Sequence, residues 1–152
     1  MSLYQFFQEQ KLNTTIEEAW DFISAPKNLQ KITPDYMGFN IVTPNLPNKI
    51  YEGMLIQYKV RPLLGLKMNW LTEITQVKEL KFFVDEQRIG PYSIWHHQHF
   101  LEPLDQGVLM KDIVSYVPPF GYLGDIANTL FIRRKLDSIF KYRKEVLEKL
   151  FN

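Results

Sequence analysis

Cysteine is absent from this chain of 152 residues, which excludes a disulfide framework, a thiolate nucleophile and any sulfur-ligated metal. Excess charge is lacking as well. Lys plus Arg number 18 against 17 Asp plus Glu, a formal net charge of +1, so there is no broad field to hold a polyanion. No window approaches the roughly 18 apolar residues of a membrane-spanning helix. The opening MSLYQFFQEQKL has neither a basic start nor an apolar run of signal-peptide length. A soluble, cytoplasmic protein without integral membrane association is therefore expected. Glycine-rich phosphate loops, a G-x-S-x-G elbow and an H-E-x-x-H pair are also missing. With no thiol and no convincing Ser–His–Asp set, covalent catalysis fits poorly. The run Arg133-Arg134-Lys135 reads as the solvated face of a helix rather than a basic edge for bases and phosphates. No nucleic-acid partner is expected, and nothing in the sequence specifies an oligomeric state.

What the chain does have is enough apolar sequence for a real core. Apolar residues make up 45% and charged residues 23%, the balance of a globular chain and not of a disordered one. No internal repeat or low-complexity segment divides it, so one domain over residues 1–152 is expected. The last thirty residues organise the rest. Tyr122 to Phe151 contains no proline, and Leu136, Ile139, Phe140, Val146, Leu147 and Leu150 recur at the spacing that aligns them on one helix face. Such a helix is about 40 Å long and needs a large partner surface for its stripe.

That surface is a sheet. Residues 3–12 read as a first strand. NTTIEEAWDFISAP then holds a helix start, with Thr14 or Thr15 as cap three residues before Glu17 or Glu18. Pro26 opens a second short helix that Pro34 closes. Beyond a loop-like stretch with a short apolar run at Phe39 to Val42, period-two segments follow. Met54, Ile56, Tyr58 and Val60 share a face, as do Leu66, Met68, Trp70 and Ile74, and Leu80, Phe82 and Val84 come next. Tyr92 to Leu101 and Val108 to Val117 form a hairpin turning at Asp105-Gln106-Gly107. Short connections favour antiparallel neighbours. The fold class expected is α+β: about seven antiparallel strands curved around the long C-terminal helix, with two short helices after the first strand.

The layout, and in particular TIEEAWDFISAPKNLQKITP (Thr15 to Pro34), FFVDEQRIGPYSIWHHQHF (Phe82 to Phe100), MKDIVSYVPPFGYLG (Met110 to Gly124) and LDSIFKYRKEVL (Leu136 to Leu147), resembles the START-like, helix-grip proteins of the SRPBCC superfamily. Within it, the likeness is to bacterial ligand-binding and polyketide cyclase-like members. The resemblance implies a hydrophobic cavity between sheet and helix. Its guest would be a lipid, a quinone or an aromatic, polyketide-like compound, and its entrance would lie near Pro118 to Phe120 and Asn45 to Gly53. A fold alone does not choose among the functions it hosts.

The polar residues that stand out lie in the hairpin. Period two puts Trp95, His97 and His99 on one face, and the turn sets His99 opposite Asp112, with Asp112 diagonal to His97. A histidine–carboxylate pair fixes a tautomer and favours the cation. It serves equally as a satisfied structural contact, an orienting group for a ligand's polar end, or a general acid–base pair. If the protein is an enzyme, of cyclase, dehydratase or isomerase type, His97, His99 and Asp112 are its catalytic candidates. The spacing matches no named zinc motif, so no metal or cofactor is expected. Arg143 falls on the apolar stripe of the helix. There it snorkels outward, pairs with Asp85 or Glu86, or meets a ligand. Tyr58, Met68, Trp70, Phe82, Trp95, Tyr116 and Phe131 complete the expected ligand-binding set with His97, His99, Asp112 and Arg143. A third reading makes an exposed aromatic face the docking site of a protein partner.

Overall fold

A computed structural model describes residues 1–62 and 64–152. β1 (Tyr4–Leu12) leads into α1 (Ile16–Ile23) and two single-turn 3₁₀ segments, Pro26–Gln30 and Asp35–Met37. Then come β2 (Asn40–Ile41), β3 (Leu55–Val60), β4 (Met68–Lys78), β5 (Phe82–Ile89), β6 (Ile94–Pro103) and β7 (Val108–Val117). The chain ends in α2 (Tyr122–Ala127), a π-helical turn (Asn128–Ile132) and α3 (Arg133–Phe151), which run on without a break. The strands form one antiparallel sheet in the order β1-β7-β6-β5-β4-β3-β2.

The expected cap of α1 is the Thr15 one. The Glu18 amide donates to Thr15 Oγ1 at 3.2 Å, and Glu17 and Glu18 in the first turn face the positive end of the helix dipole. Pro26 starts the first 3₁₀ turn, where its missing N–H costs nothing. The β6–β7 turn requires Gly107: its φ is 87°, and a Cβ there would stand 2.3 Å from the Leu12 carbonyl oxygen. With that turn fixed, His99 pairs with Asp112 and His97 with Val114, the register expected from the sequence.

α3 closes the sheet's concave side. Leu136, Phe140, Arg143 and Leu147 are its buried residues, and they pack in one core with Leu12, Met54, Val108, Val114 and Tyr116. Fully burying each aliphatic or aromatic side chain contributes about 1.5–3 kcal/mol. Polar bonds fix the helix to the edge strand: Gln8 Nε2 donates to the Phe140 carbonyl at 3.1 Å and Gln10 Nε2 to the Lys144 carbonyl at 2.8 Å. The apolar stripe does not extend to the helix start, where Tyr122, Leu123 and Leu130 are exposed. Among the described residues, no helix is long and apolar enough to cross a membrane.

Two strand assignments differ from expectation, and they move side chains between faces. A bulge at Thr75, between Ile74 and Gln76 in their pairing with β5, shifts the alternation of β4. Leu80 sits in a turn at φ 61° and so does not begin the strand. As a result Phe83 and Asp85 face inward, while Phe82 packs outside against Phe100 with ring centroids 5.7 Å apart.

Candidate functional site

Between the sheet, α3 and the segment of 3₁₀ turns lies a cavity of about 160 Å³. Aromatic rings dominate one wall. Trp70 stacks on Tyr58 (5.8 Å, 17°) and meets Trp95 edge-on (5.3 Å, 89°), and Tyr92 lies 4.9 Å from Trp95. Tyr92 comes from the loop before β6. It is held there by Gln87, whose Nε2 donates to the Tyr92 carbonyl at 2.7 Å while its Oε1 accepts from the Tyr92 amide at 3.1 Å.

Beside these rings, with the Trp95 and His97 centroids 6.2 Å apart, lies a buried ionic cluster assembled from four elements: Asp85 of β5, His97 and His99 of β6, Asp112 of β7 and Arg143 of α3. His99 has a carboxylate at each ring nitrogen, with Nε2 2.7 Å from Asp85 Oδ2 and Nδ1 3.1 Å from Asp112 Oδ1. His97 Nε2 lies 2.9 Å from Asp112 Oδ1, whereas its Nδ1 is 3.6 Å from Asp85 Oδ2. The imidazoles are tilted by 36° with centroids 3.7 Å apart, too close for two buried cations to share comfortably. Arg143 Nη1 donates to Asp112 Oδ1 at 3.3 Å.

Protonation follows from these contacts. Burial disfavours the His99 cation, but its hydrogen bonds to Asp112 and Asp85 outweigh burial and raise its pKa. For His97, burial and then the charge of His99 prevail over Asp112 and push the pKa down to about 4. Burial also opposes ionisation of Asp112. The hydrogen bonds from His97 and His99 and the charge of Arg143 overcome it and hold the carboxyl far below its usual range. Asp85 is lowered in the same way, burial being outweighed by the two imidazoles and Arg143. Around neutral pH the cluster is two carboxylates, one imidazolium, one guanidinium and a neutral His97, with no net charge. Burial pushes the Tyr58 and Tyr92 phenols up, so both remain neutral.

Of the residues expected at the site, Tyr58, Trp70, Trp95, His97, His99 and Arg143 reach the cavity wall. Asp112 and Tyr116 are buried behind it. Asp112 anchors the cluster, and Tyr116 donates from its hydroxyl to Asn128 Oδ1 at 2.7 Å, at the start of the π-helical turn. Three others lie elsewhere. Met68 is the first residue of β4, half-buried and off the wall. Phe82 is on the outer face, and its place is taken by Phe83, whose ring stacks on His99 at 4.0 Å and 16°. Phe131 lies in the π-helical turn and is exposed. Arg143 pairs with Asp112, not with Asp85 or Glu86; Glu86 points outward to His96 and Arg88. Asp85, Tyr92 and Asn28 also belong to the wall. The carboxylate of Asp85 between two aromatic-rich strands was a visible signal for the first of them.

Asp85, His97 and His99 each offer one ligand atom within 4.8 Å of the others, a set of the size that catalytic zinc sites use. Binding a cation there would require His99 to release the protons it holds against both carboxylates. As arranged, the cluster holds opposed charges together around a neutral His97, whose Nδ1 lies 3.6 Å from Asp85 Oδ2.

A curved antiparallel sheet gripping a C-terminal helix, with short helices after the first strand, defines the helix-grip fold, and this chain has it. Solved structures with the same arrangement include CV1439 from Chromobacterium violaceum, 13% identical, with a TM-score of 0.71 over 97% of this chain and 96% of that one. Ara h 8.0201 is 17% identical, with a TM-score of 0.59 over 96% and 98%. The di-domain ARO/CYC StfQ from the steffimycin biosynthetic pathway is 8% identical, with a TM-score of 0.71 over 97% of this chain and 50% of that one. At such identities the likeness is one of fold. No family model matches the chain, and no curated protein does.

Proposed function

We propose that the protein binds a hydrophobic or amphipathic small molecule in the cavity between sheet and α3. The observation that carries this reading is an interior left open where aromatic rings from three strands and a loop converge on a charge-balanced polar cluster. Concave, mostly apolar sites with a few fixed polar groups are what small-molecule binding uses. Apolar area removed from water supplies about 25 cal/mol per Å² before ordering costs. The fold shared with Ara h 8.0201 and the ARO/CYC StfQ supports a reading of this kind. Native mass spectrometry with extraction of whatever co-purifies tests it, alongside thermal shifts across a panel of lipids and aromatic metabolites. A recovered apolar guest or a saturable shift is expected. No guest and no shift across the panel would overturn the reading.

A proton-transfer enzyme is the second reading, favoured by His97 and Asp85 both lining the same cavity. Such a base works best near pKa 7. His97 sits near 4, which places binding ahead of turnover.

A further inference from the structure

Where β7 hands over to α2, large apolar side chains stand on the outside of the molecule. Tyr122, Leu123, Ile126 and Leu130 are exposed, while Gly124, Asn128 and Ile132 on the other side of the same stretch are buried. The face turned to water is the more apolar one, the reverse of an ordinary surface helix. A Cβ on Gly124 would overlap the Pro119 carbonyl oxygen, so the helix start is pressed on Pro118-Pro119 and the turn between them carries Phe120 outward. Phe120 is 82% exposed at φ 65°. The β3–β4 loop repeats the arrangement: Leu64 is 80% exposed at φ 51°, and Leu66 is exposed nearby. A left-handed backbone is uncommon for bulky residues, and here it holds two of them in water. The pairings Val60 with Met68, Leu71 with Ile89, Glu86 with His96 and Ile94 with Val117 set both loops at one end of the sheet.

Cations surround these tips, and free acids do not. Arg61 and Lys67 flank the β3–β4 loop, and Arg133 and Arg134 follow Leu130 at three and four residues, as its neighbours on the helix surface. All four are exposed. Among the described residues outside the buried cluster, the Lys and Arg side chains that hold ion pairs are Lys49, Arg88 and Lys111, so these four are unpaired. No acid lies between Val60 and Met68, and Asp125 alone lies between Val117 and Lys135. Its carboxylate is already engaged, accepting from the Ser2 amide at 3.1 Å and the Tyr4 hydroxyl at 3.2 Å.

We propose that this end of the molecule docks on the surface of a membrane containing anionic lipid. Leu64, Phe120 and Leu123 enter the boundary between headgroups and acyl chains, and Arg61, Lys67, Arg133 and Arg134 meet the lipid phosphates. Exposed apolar patches of this kind mark interaction sites, and apolar residues beside unpaired cations are what interfacial lipid binding uses. A second copy of the chain fits less well, because a two-fold contact would set the same cations against each other. The docking concerns the outer surface and does not depend on what the cavity holds.

Co-sedimentation of the full chain with phosphatidylcholine vesicles, with and without about one-third phosphatidylserine, tests this. Binding to the anionic vesicles is expected, about tenfold or more tighter than to the neutral ones and weakened by added salt. Phe120→Ser should weaken it about tenfold, and Arg133→Gln and Arg134→Gln about fivefold each. Leu104→Ser, in the β6–β7 turn at the opposite end, should leave it unchanged. Each substituted side chain is exposed, so the variants keep the fold. Because the chain has no cysteine, Leu123→Cys and Leu104→Cys each take a single polarity-sensitive dye. Its emission should shift to the blue on anionic vesicles at position 123 and stay put at 104. No binding to either vesicle would overturn the docking, and equal binding to both would overturn the anionic partner. A blue shift at 104 without one at 123 would overturn the assignment of this end. A dimer in solution that Phe120→Ser disperses would give the patch to a second copy instead.

Discussion

His96 and His97 are consecutive residues of β6, each beside a carboxylate, yet they stand in different solvents. His96 Nδ1 lies 2.7 Å from Glu86 Oε1 on the outer face, where Arg88 also reaches Glu86 and all three side chains contact water. His97 and His99 face inward, and with Asp85, Asp112 and Arg143 they form a network that water barely touches. The pairs are chemically alike, and only burial separates them. On the outer face the field of each charge is screened, so the pair is worth little. On the inner face every charge depends on its neighbours, and removing one strands the rest. Phe82 and Phe83 of β5 repeat the contrast with apolar side chains: one packs outside on Phe100, the other is 6% exposed and lies flat on His99.

The contrast is broken most severely at Asp112. Asp112→Ala leaves Arg143 and His99 without their shared counterion and should cost about 3–5 kcal/mol in urea unfolding. Its outer counterpart, Glu86→Ala, should cost under about 1 kcal/mol. Equal effects would mean that the inner cluster is not the keystone its burial implies. The apolar pair sharpens the same point. Phe83→Ala should destabilise by about 3 kcal/mol or more, from lost burial plus the cavity left behind. Phe82→Ala, outside, should cost about 1 kcal/mol. A reversed order would mean that the two faces of β5 have been exchanged.

The sheet, its closing helix and the pairing of His99 with Asp112 were legible in the sequence because each rests on a strong local signal. The stripe from Leu136 to Leu147 has helical spacing, and Asp105-Gln106-Gly107 fixes a turn that leaves one register for the strands it joins. The faces of β5 were not legible. Phe82 and Phe83 are equally apolar, and the bulge that decides between them sits at Thr75 in the preceding strand, a residue that carries no bulge signature. Arg143 on an apolar stripe announced a buried partner. Choosing Asp112 over Asp85 required knowing where the helix lies across the sheet, since His99 contacts both carboxylates. The π-helical turn at Asn128–Ile132 has no counterpart in the spacing of apolar residues, so Phe131 was expected on the wrong side. Unpaired atoms such as Trp70 Nε1 are properties of packing and have no trace in a string of residues.

The subtlest test of the inner face is by proton. In the unfolded chain all three histidines titrate near pKa 6.5. His97 is lowered to about 4 in the folded protein, so between those values the unfolded state binds a proton that the folded state refuses. Stability contributed by His97 is therefore complete above the unfolded pKa and drains away as pH falls toward 4. His99 is raised, so its contribution is complete below the unfolded pKa and is lost as pH climbs through the folded one. Asp85 and Asp112, both lowered, act only nearer the ordinary carboxylate pKa and below. Unfolding free energy should thus peak in the neighbourhood of pH 6.5, with an acid limb of roughly 2 kcal/mol between about pH 6.5 and 4.5 set by His97. His97→Gln, which keeps a donor for Asp112, should flatten the acid limb and leave the alkaline limb. His99→Gln should do the reverse. An acid limb that survives unchanged in His97→Gln would show that His97 is not the imidazole that folding holds neutral.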